Sequence, residues 1–394
     1  MKKVLLAFSG GLDTSYCAIH LAKDKGYEVW TAAVNTGGFD EAEQKALAKK
    51  AADLGIKNHI CIDVEEEFYQ KGIKFLIAGN VLKNHTYPLS VSAERVFQAI
   101  AIAEYAKEIG VDAIAHGSTG AGNDQVRFDL VFNVLAPELE IITPIRDQKL
   151  SREEEVEYLK SHGIDKEWAK AKYSINQGLW GTSVGGAETL TSNKYLPEEA
   201  WPTPITNRDS LTVEIKFEGG EPVGINSKKM DPVSLIKELT KIVQPFGIGR
   251  DIHVGDTIIG IKGRVGFEAA APLLIIKAHQ LLEKHVLGKW QLYWKDQLGE
   301  WYGMLMHEGQ FLDPVMRDIE AFLSNTQQNV TGKVFVKLEA KRFELQGIDS
   351  KYDLMASKHG QYGEMNQGWS GEDVKGFTKI LSNATLIQQG VKDD

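Results

Sequence analysis

The segment AFSGGLDTS, residues 7 to 15, sets two adjacent glycines, three hydroxyls and one carboxylate between the apolar run Val4, Leu5, Leu6 and a helix-like stretch. Gly10 and Gly11 would let backbone N–H groups approach an anion with no Cβ in the way, and the positive end of the following helix would point at the same place. Ser9, Thr14 and Ser15 add hydroxyls, and Asp13 offers a carboxylate to a divalent cation that bridges phosphates. A plain strand-to-helix turn is the competing reading, but SGGxDTS directly behind a first strand is far more specific than SGG alone. The chain contains no GxxxxGK[ST], which disfavours the P-loop hydrolases.

A second glycine-rich segment, HGSTGAGNDQVRFD, spans residues 116 to 129 behind another strand-like run. Asn123 and Arg127, four apart, share a helix face, with Asp124 beside them. A forked guanidinium suits a carboxylate, and an amide next to a carboxylate suits the two ends of an amino acid. The competing reading pairs Arg127 with Asp124 or Asp129 on a solvated face. His116, alone at a strand end, reads as structural rather than catalytic.

To face each other, these loops need a sheet of parallel strands, and the first part of the chain alternates accordingly. A strand over 3–8 leads to a helix with apolar Cys17, Ile19 and Leu21 that ends near Gly26. A strand from Glu28 to Val34 and a turn at Thr36-Gly37-Gly38 follow, then a helix opened by Asp40 with Glu43 and running to Leu54-Gly55. Helical stretches over 65–83 and 93–109, a strand over 111–117, a further helix, the strand LEIITP and a helix capped by Ser151 with Glu154 complete the series. The prediction is an α/β fold with a doubly wound parallel sheet covered on both faces, which binds ligands beyond the carboxyl ends of its strands.

After about Tyr173 the pattern changes to the hairpin LTVEIKFEGGEPVGI, the helices VSLIKELTKIV and LLIIKAHQLLEKHVL, and the aromatic-rich KWQLYWKDQLGEWYG, predicting a second, α+β domain. The expected units are 1–170, 171–375 and a tail, 376–394. In that tail TKILSNATLIQQ has a helical apolar pattern suited to a neighbouring subunit.

At 394 residues the chain exceeds what one core usually organises. No apolar run is long enough to cross a membrane, and KKVLLAF stops at Ser9-Gly10-Gly11, too early for a signal peptide. Cys17 and Cys61 fall in no CxxC or metal spacing, which points to a reduced, cytoplasmic setting. A net charge of −9 argues against nucleic acid as a partner.

SGGLDTS resembles the pyrophosphate loop of the N-type ATP pyrophosphatases, which split ATP between its α and β phosphates and adenylate an oxygen of the substrate. With HGSTGAGNDQVRF it resembles the two signatures of the argininosuccinate synthase family. The similarity continues through YPLSVSAER (87–95), YSINQGLWGTSVGG (173–186) and GIGRDIHVGDTIIGIKGRVGFEAAA (247–271). The resemblance implies ATP-dependent condensation of citrulline with aspartate through a citrullyl-adenylate, Mg²⁺ to offset phosphate charge, no covalent enzyme nucleophile, and a homotetramer. It would have Ala7, Phe8, Ser9, Gly10, Gly11, Leu12, Asp13, Thr14 and Ser15, with the backbone at Val34 and Gly117, bind ATP. Tyr87, Ser92, Arg127, Ser174 and Ser183 would hold citrulline, Thr119 and Asp124 aspartate, and Asn123 both. Arg95 would lie near the nucleotide, where a fixed cation stabilises charge developing at the α-phosphate. Asp13, Arg95 and Asp124 are thus the residues expected to act in the chemistry.

The chain departs from that family's pattern at several positions. Ser90-Val91-Ser92 stands where the family has Gly-Thr-Ser, Val96 replaces a Pro, and Ala121 replaces a Lys. Gly255 takes the place of a citrulline-binding Glu, and Phe267 that of a Tyr. The last two remove an acceptor and a phenol near the substrate's α-ammonium, so an α-N-acylated citrulline, its acyl group in the room left by Gly255, is the alternative co-substrate. Readings of other kinds are a tRNA-modifying pyrophosphatase, which calls for a basic face or catalytic cysteines, a glutamine-dependent amidotransferase, which calls for a glutaminase cysteine, and a non-catalytic nucleotide-binding paralogue.

Overall fold

The computed structural model describes residues 1–164, 168 and 172–393. Strands β1 (Lys3–Ala7), β2 (Glu28–Asn35), β3 (Asn58–Asp63), β4 (Ala113–Ala115) and β5 (Glu140–Ile142) pair in parallel in the order β3-β2-β1-β4-β5. In β1, Val4 and Leu6 join one buried cluster and Leu5 the other. Alternate side chains point to opposite faces, so an unbroken apolar run marks a strand covered on both sides.

The covering helices are α1 (Leu12–Ile19), α2 (Glu41–Asp53), α3 (Glu65–Phe68), α4 (Lys74–Ala78), α5 (Ser90–Glu108), α6 (Asp124–Leu135), α7 (Pro144–Gln148) and α8 (Arg152–Ser161). The capping boxes Asp40–Glu43 and Ser151–Glu154 both form, and α1 continues through a wider turn, His20–Asp24, that closes at Gly26 with φ 63°.

The differences from expectation are local. The helix predicted over 65–83 stops at Ala78, because Asn80 takes φ 49°, a left-handed conformation that ends a helix, and Asn84 and His85 at φ 51° and 61° keep the following connection irregular. That irregular connection brings Tyr87 beside Lys83 in an isolated bridge. The next helix begins at Ser90 rather than near 93, so Ser92 stands within its first turn. The LEIITP strand is only three residues long, since Pro144 opens α7 directly behind it.

The rest of the chain forms two antiparallel sheets. Strands β6 (Ser174–Gly178), β7 (Gly181–Gly185), β11 (Arg250–Asp256) and β12 (Lys262–Glu268) pair in the order β11-β12-β7-β6. Strands β8 (Leu211–Glu218), β9 (Glu221–Ile225), β10 (Lys228–Lys229), β13 (Gly332–Glu339) and β14 (Arg342–Asp349) pair in the order β10-β9-β8-β13-β14. The hairpin expected at LTVEIKFEGGEPVGI is β8–β9. Helices α9 (Pro232–Val243), α10 (Ala270–Val286), α11 (Lys289–His307) and α12 (Pro314–Gln327) pack between, and the core containing Leu5 runs on through Trp180 and Phe267 into them.

The tail is α13 (Gly371–Leu381) and α14 (Asn383–Asp393), with Val374, Phe377, Leu381, Ile387 and Val391 exposed on its apolar positions. The expected boundary at 375/376 falls inside α13, and the one at 170/171 lies outside the described residues. Among the described residues no helix is long and apolar enough to cross a membrane.

Candidate active site

The sheet order changes direction at β1, with β2 and β3 to one side and β4 and β5 to the other. The loops behind β1 and β4 therefore face each other at the carboxyl edge. Their approach is close: a Cβ on Gly117 would sit 3.3 Å from both Asp13 Cβ and Thr14 Cγ2. Between them opens a cleft of about 950 Å³, within the usual range of small-molecule sites.

Of the expected nucleotide residues, Ala7, Phe8, Ser9, Gly11, Leu12, Asp13, Thr14, Val34 and Gly117 line this cleft, with Ala32, Ile102 and Phe128 adding apolar wall suited to a purine. Gly10 and Ser15 stand behind it. Gly10 has φ 69° and would place a Cβ 2.9 Å from Leu47 and Lys50, while the buried Ser15 hydroxyl donates to Gly11 O at 2.7 Å and braces the loop. The Ser9 and Thr14 hydroxyls lie 3.2 Å apart on the open side.

Behind Asp13 lies Glu155 of α8, its carboxyl pushed up to about 8 by burial and by the charge and hydrogen bond of Asp13, and one of its oxygens has no partner. Glu155 therefore keeps its proton at neutral pH beside Asp13. Among the described residues no group of three or more His, Cys, Asp or Glu is placed to hold a metal. A cation at Asp13 would draw most of its shell from phosphate and water, which fits Mg²⁺.

Arg95 lines the cleft and is held by four side chains: its Nε donates to Asp124 at 3.2 Å, Nη1 to Gln98 at 2.8 Å and Glu94 at 3.1 Å, and Nη2 to Asn176 at 3.0 Å. Asp124 also accepts from Arg127 Nη1 at 2.9 Å. Burial alone would raise the Asp124 carboxyl, but Arg95 and Arg127 outweigh it and hold the group below the usual carboxylate range. Asp124, expected as an aspartate ligand, lines the cleft and also bridges two guanidiniums, which makes it a poor proton acceptor.

The expected amino-acid residues divide. Thr119, Asp124 and Ser174 line the cleft; Tyr87, Ser92, Asn123, Arg127 and Ser183 do not. Arg127 is pinned by Asp124 and by the His307 carbonyl, 2.9 Å from its Nε. Asn123 Oδ1 accepts from Ile258 N at 2.8 Å, tying the second loop to the tip of the β11–β12 hairpin. The Tyr87 hydroxyl accepts from Val91 N at 3.1 Å, and its ring stacks on His253 at 5.1 Å. Ser92 Oγ and Arg127 Nη2 are buried without a partner. The room expected beside Gly255 is filled: a Cβ there would lie 2.5 Å from His253 Nε2.

The sequence reading passed over Glu94, Gln98, Thr36, Asn176 and His253. Asn176, two residues beyond Ser174 on a predicted substrate segment, carried a period-two signal. Glu94 is buried, with its carboxyl pushed up to about 7 by burial against the opposing pull of Arg95 and the Thr36 hydroxyl, which donates to it at 3.0 Å. His116 is buried, with Nε2 2.9 Å from Asp129 and Nδ1 accepting from Ser118 N. Burial raises the Cys17 thiol, leaving it unreactive.

Residues 3–165 match the family model for the arginosuccinate synthase N-terminal HUP domain, and 173–387 that for the arginosuccinate synthase C-terminal domain. The argininosuccinate synthase of Methanocaldococcus jannaschii is 41% identical over 358 residues, 90% of each chain. That of Dictyoglomus turgidum is 40% identical over 398 residues, covering 100% of this chain and 99% of its own. That of Methanococcus maripaludis is 40% identical over 397 residues, 99% of this chain and 98% of its own. With both family domains matched and full-length relatives at this identity, the chain belongs to the argininosuccinate synthase family.

Proposed function

We propose that the cleft joins citrulline to L-aspartate while ATP is cleaved to AMP and pyrophosphate. The carrying observation is the Arg95 guanidinium, immobilised by four acceptors at the wall of a cleft whose mouth is the phosphate loop. A cation held in advance where charge develops stabilises a transition state without reorganising.

The ureido oxygen of citrulline attacks the α-phosphorus, the bond to the bridging oxygen breaks, and pyrophosphate leaves. The aspartate amine then attacks the ureido carbon, the carbon–oxygen bond to AMP breaks, and the amine gives up its proton. Ser9, Thr14 and the backbone at Gly11 would cradle the phosphates, and Phe8, Val34 and Phe128 would take the base. Asp13 is the residue that would hold Mg²⁺, which would supply neutralisation of phosphate charge. Thr119 and Ser174 would contact the amino-acid substrates, and Asn123, Arg127 and Asp124 would hold the loop that presents them. The exposed apolar tail positions fit a homotetramer in which a second copy covers α13 and α14. The reduced thiols agree with a cytoplasmic setting.

The test is product identification by phosphorus NMR and mass with ATP, Mg²⁺, aspartate and a citrulline-type co-substrate. AMP and pyrophosphate in equal amounts are expected, and ADP with phosphate would overturn the reading. Arg95→Ala should lower kcat by ~10²–10³.

A further inference from the structure

We propose that Glu94 is a positioning residue for the reaction: it closes a hydrogen-bonded ring that leaves the Arg95 guanidinium a single free N–H, on Nη2, to offer the α-phosphoryl group. The inference rests on the reading above and names the device that aims its cation.

A guanidinium carries five N–H groups, one on Nε and two on each Nη. Four of those on Arg95 are taken: Nε by Asp124, both of Nη1 by Glu94 and Gln98, and one of Nη2 by Asn176. Among the described residues no further acceptor meets Nη2, so its second N–H is the one left for a ligand oxygen in the cleft that Arg95 lines.

The two bonds of Nη1 belong to a closed ring. Glu94 Oε1 accepts from Nη1, and its Oε2 accepts from the Thr36 hydroxyl at 3.0 Å. The Thr36 oxygen accepts in turn from Gln98 Nε2 at 3.4 Å, and Gln98 Oε1 accepts from Nη1. The carboxylate accepts twice, the hydroxyl and the amide each accept once and donate once, and the guanidinium donates twice, so every member is satisfied. A fully satisfied ring of this kind rigidifies the groups it joins, and here it fixes the rotation of the guanidinium. Glu94 has no room to swing away, since its side chain is 1% exposed and a Cβ on Gly178 would collide with its Oε2. Thr36, Arg95, Gln98 and Asn176 line the cleft, whereas Glu94 stands behind them and acts through Arg95. The ring also ties α5 to the turn behind β2, where Thr36 O accepts from Leu179 N at 2.9 Å just beyond β6, the strand that carries Asn176. Arg95 is thus aimed only when the segments 36–38 and 174–179 are in place.

The experiment measures kcat and KM for ATP by pyrophosphate release with Mg²⁺, citrulline and aspartate at pH 8, above the value of about 7 to which burial raises the Glu94 carboxyl. Glu94→Ala should lower kcat by about tenfold or more, the worth of one charged hydrogen bond, with KM for ATP within about twofold of the parent. The same substitution in an Arg95→Ala background should cost nothing further, because its whole effect passes through the guanidinium. Gln98→Leu opens the ring from its other side and should show the same loss and the same dependence on Arg95, which decides the matter even where Glu94→Ala does not fold. An unchanged kcat in either variant, or an equal loss with Arg95 absent, would overturn the ring. A parent enzyme that releases no pyrophosphate would instead overturn the condensation reading itself, and the role of Glu94 with it.

Discussion

Asp124→Asn preserves the shape of the side chain and removes its charge, which separates a bridging role from a substrate contact. The carboxylate sits 2.9 Å from Arg127 Nη1 and 3.2 Å from Arg95 Nε, and those two arginines keep it ionised. Without it, two guanidiniums face each other, and the Arg127 side chain, 4% exposed, retains only the His307 carbonyl. Stranding a buried charge costs ~3–5 kcal/mol. Because the Asp124 side chain is 42% exposed, water reaches the pair and the expected loss is lower, ~1–3 kcal/mol. Urea unfolding of the ligand-free protein reads this directly. The double variant Asp124→Asn with Arg127→Met should recover part of the loss, with a coupling of ~1 kcal/mol. A variant within ~0.5 kcal/mol of the parent, with only its KM for aspartate raised, would refute the bridge and restore Asp124 as a substrate ligand alone.

Gly10→Ala forces a side chain into φ 69° and to within 2.9 Å of Leu47 and Lys50; a loss of ~1–2 kcal/mol on thermal unfolding, with weaker ATP binding by calorimetry, is expected. Glu94 titrates near 4.5 when unfolded and is raised to about 7 by burial in the fold. The native state therefore binds the extra proton between those values, and stability declines as pH rises through that window. Glu94→Gln should flatten the decline, and parallel profiles for variant and parent would show that the carboxyl is not buried as described. Phe377→Asp, on the exposed face of α13, should reduce the mass seen by light scattering without changing helix content by circular dichroism; an unchanged mass would mean that this face lies outside the subunit contact.

Much of the architecture is written in short-range pattern. The run Val4, Leu5, Leu6 reads as a two-faced strand, and the pairs Asp40 with Glu43 and Ser151 with Glu154 mark helix starts, because periodicity and capping depend on residues within a few positions of each other. The phosphate loop is legible for the same reason: its glycines, hydroxyls and Asp13 act within one turn of chain. The aromatic-rich stretch 289–303 belongs to the helix α11, although Trp290, Trp294 and Trp301 point to solvent and obscure its amphipathic pattern. The helix expected over 65–83 failed at Asn80, whose left-handed backbone the periodicity does not report.

The sequence by itself determined the parallel-sheet half, the phosphate loop and the family to which the chain belongs, since each rests on residues that act on near neighbours. Only the tertiary structure decided that Asp124 is spent on two arginines, that Glu94 is buried behind Arg95, and that His253, far along the chain, stacks on Tyr87 and fills the space beside Gly255. Burial and pairing at those positions arise where segments remote in sequence meet, and no local pattern records which segments those will be.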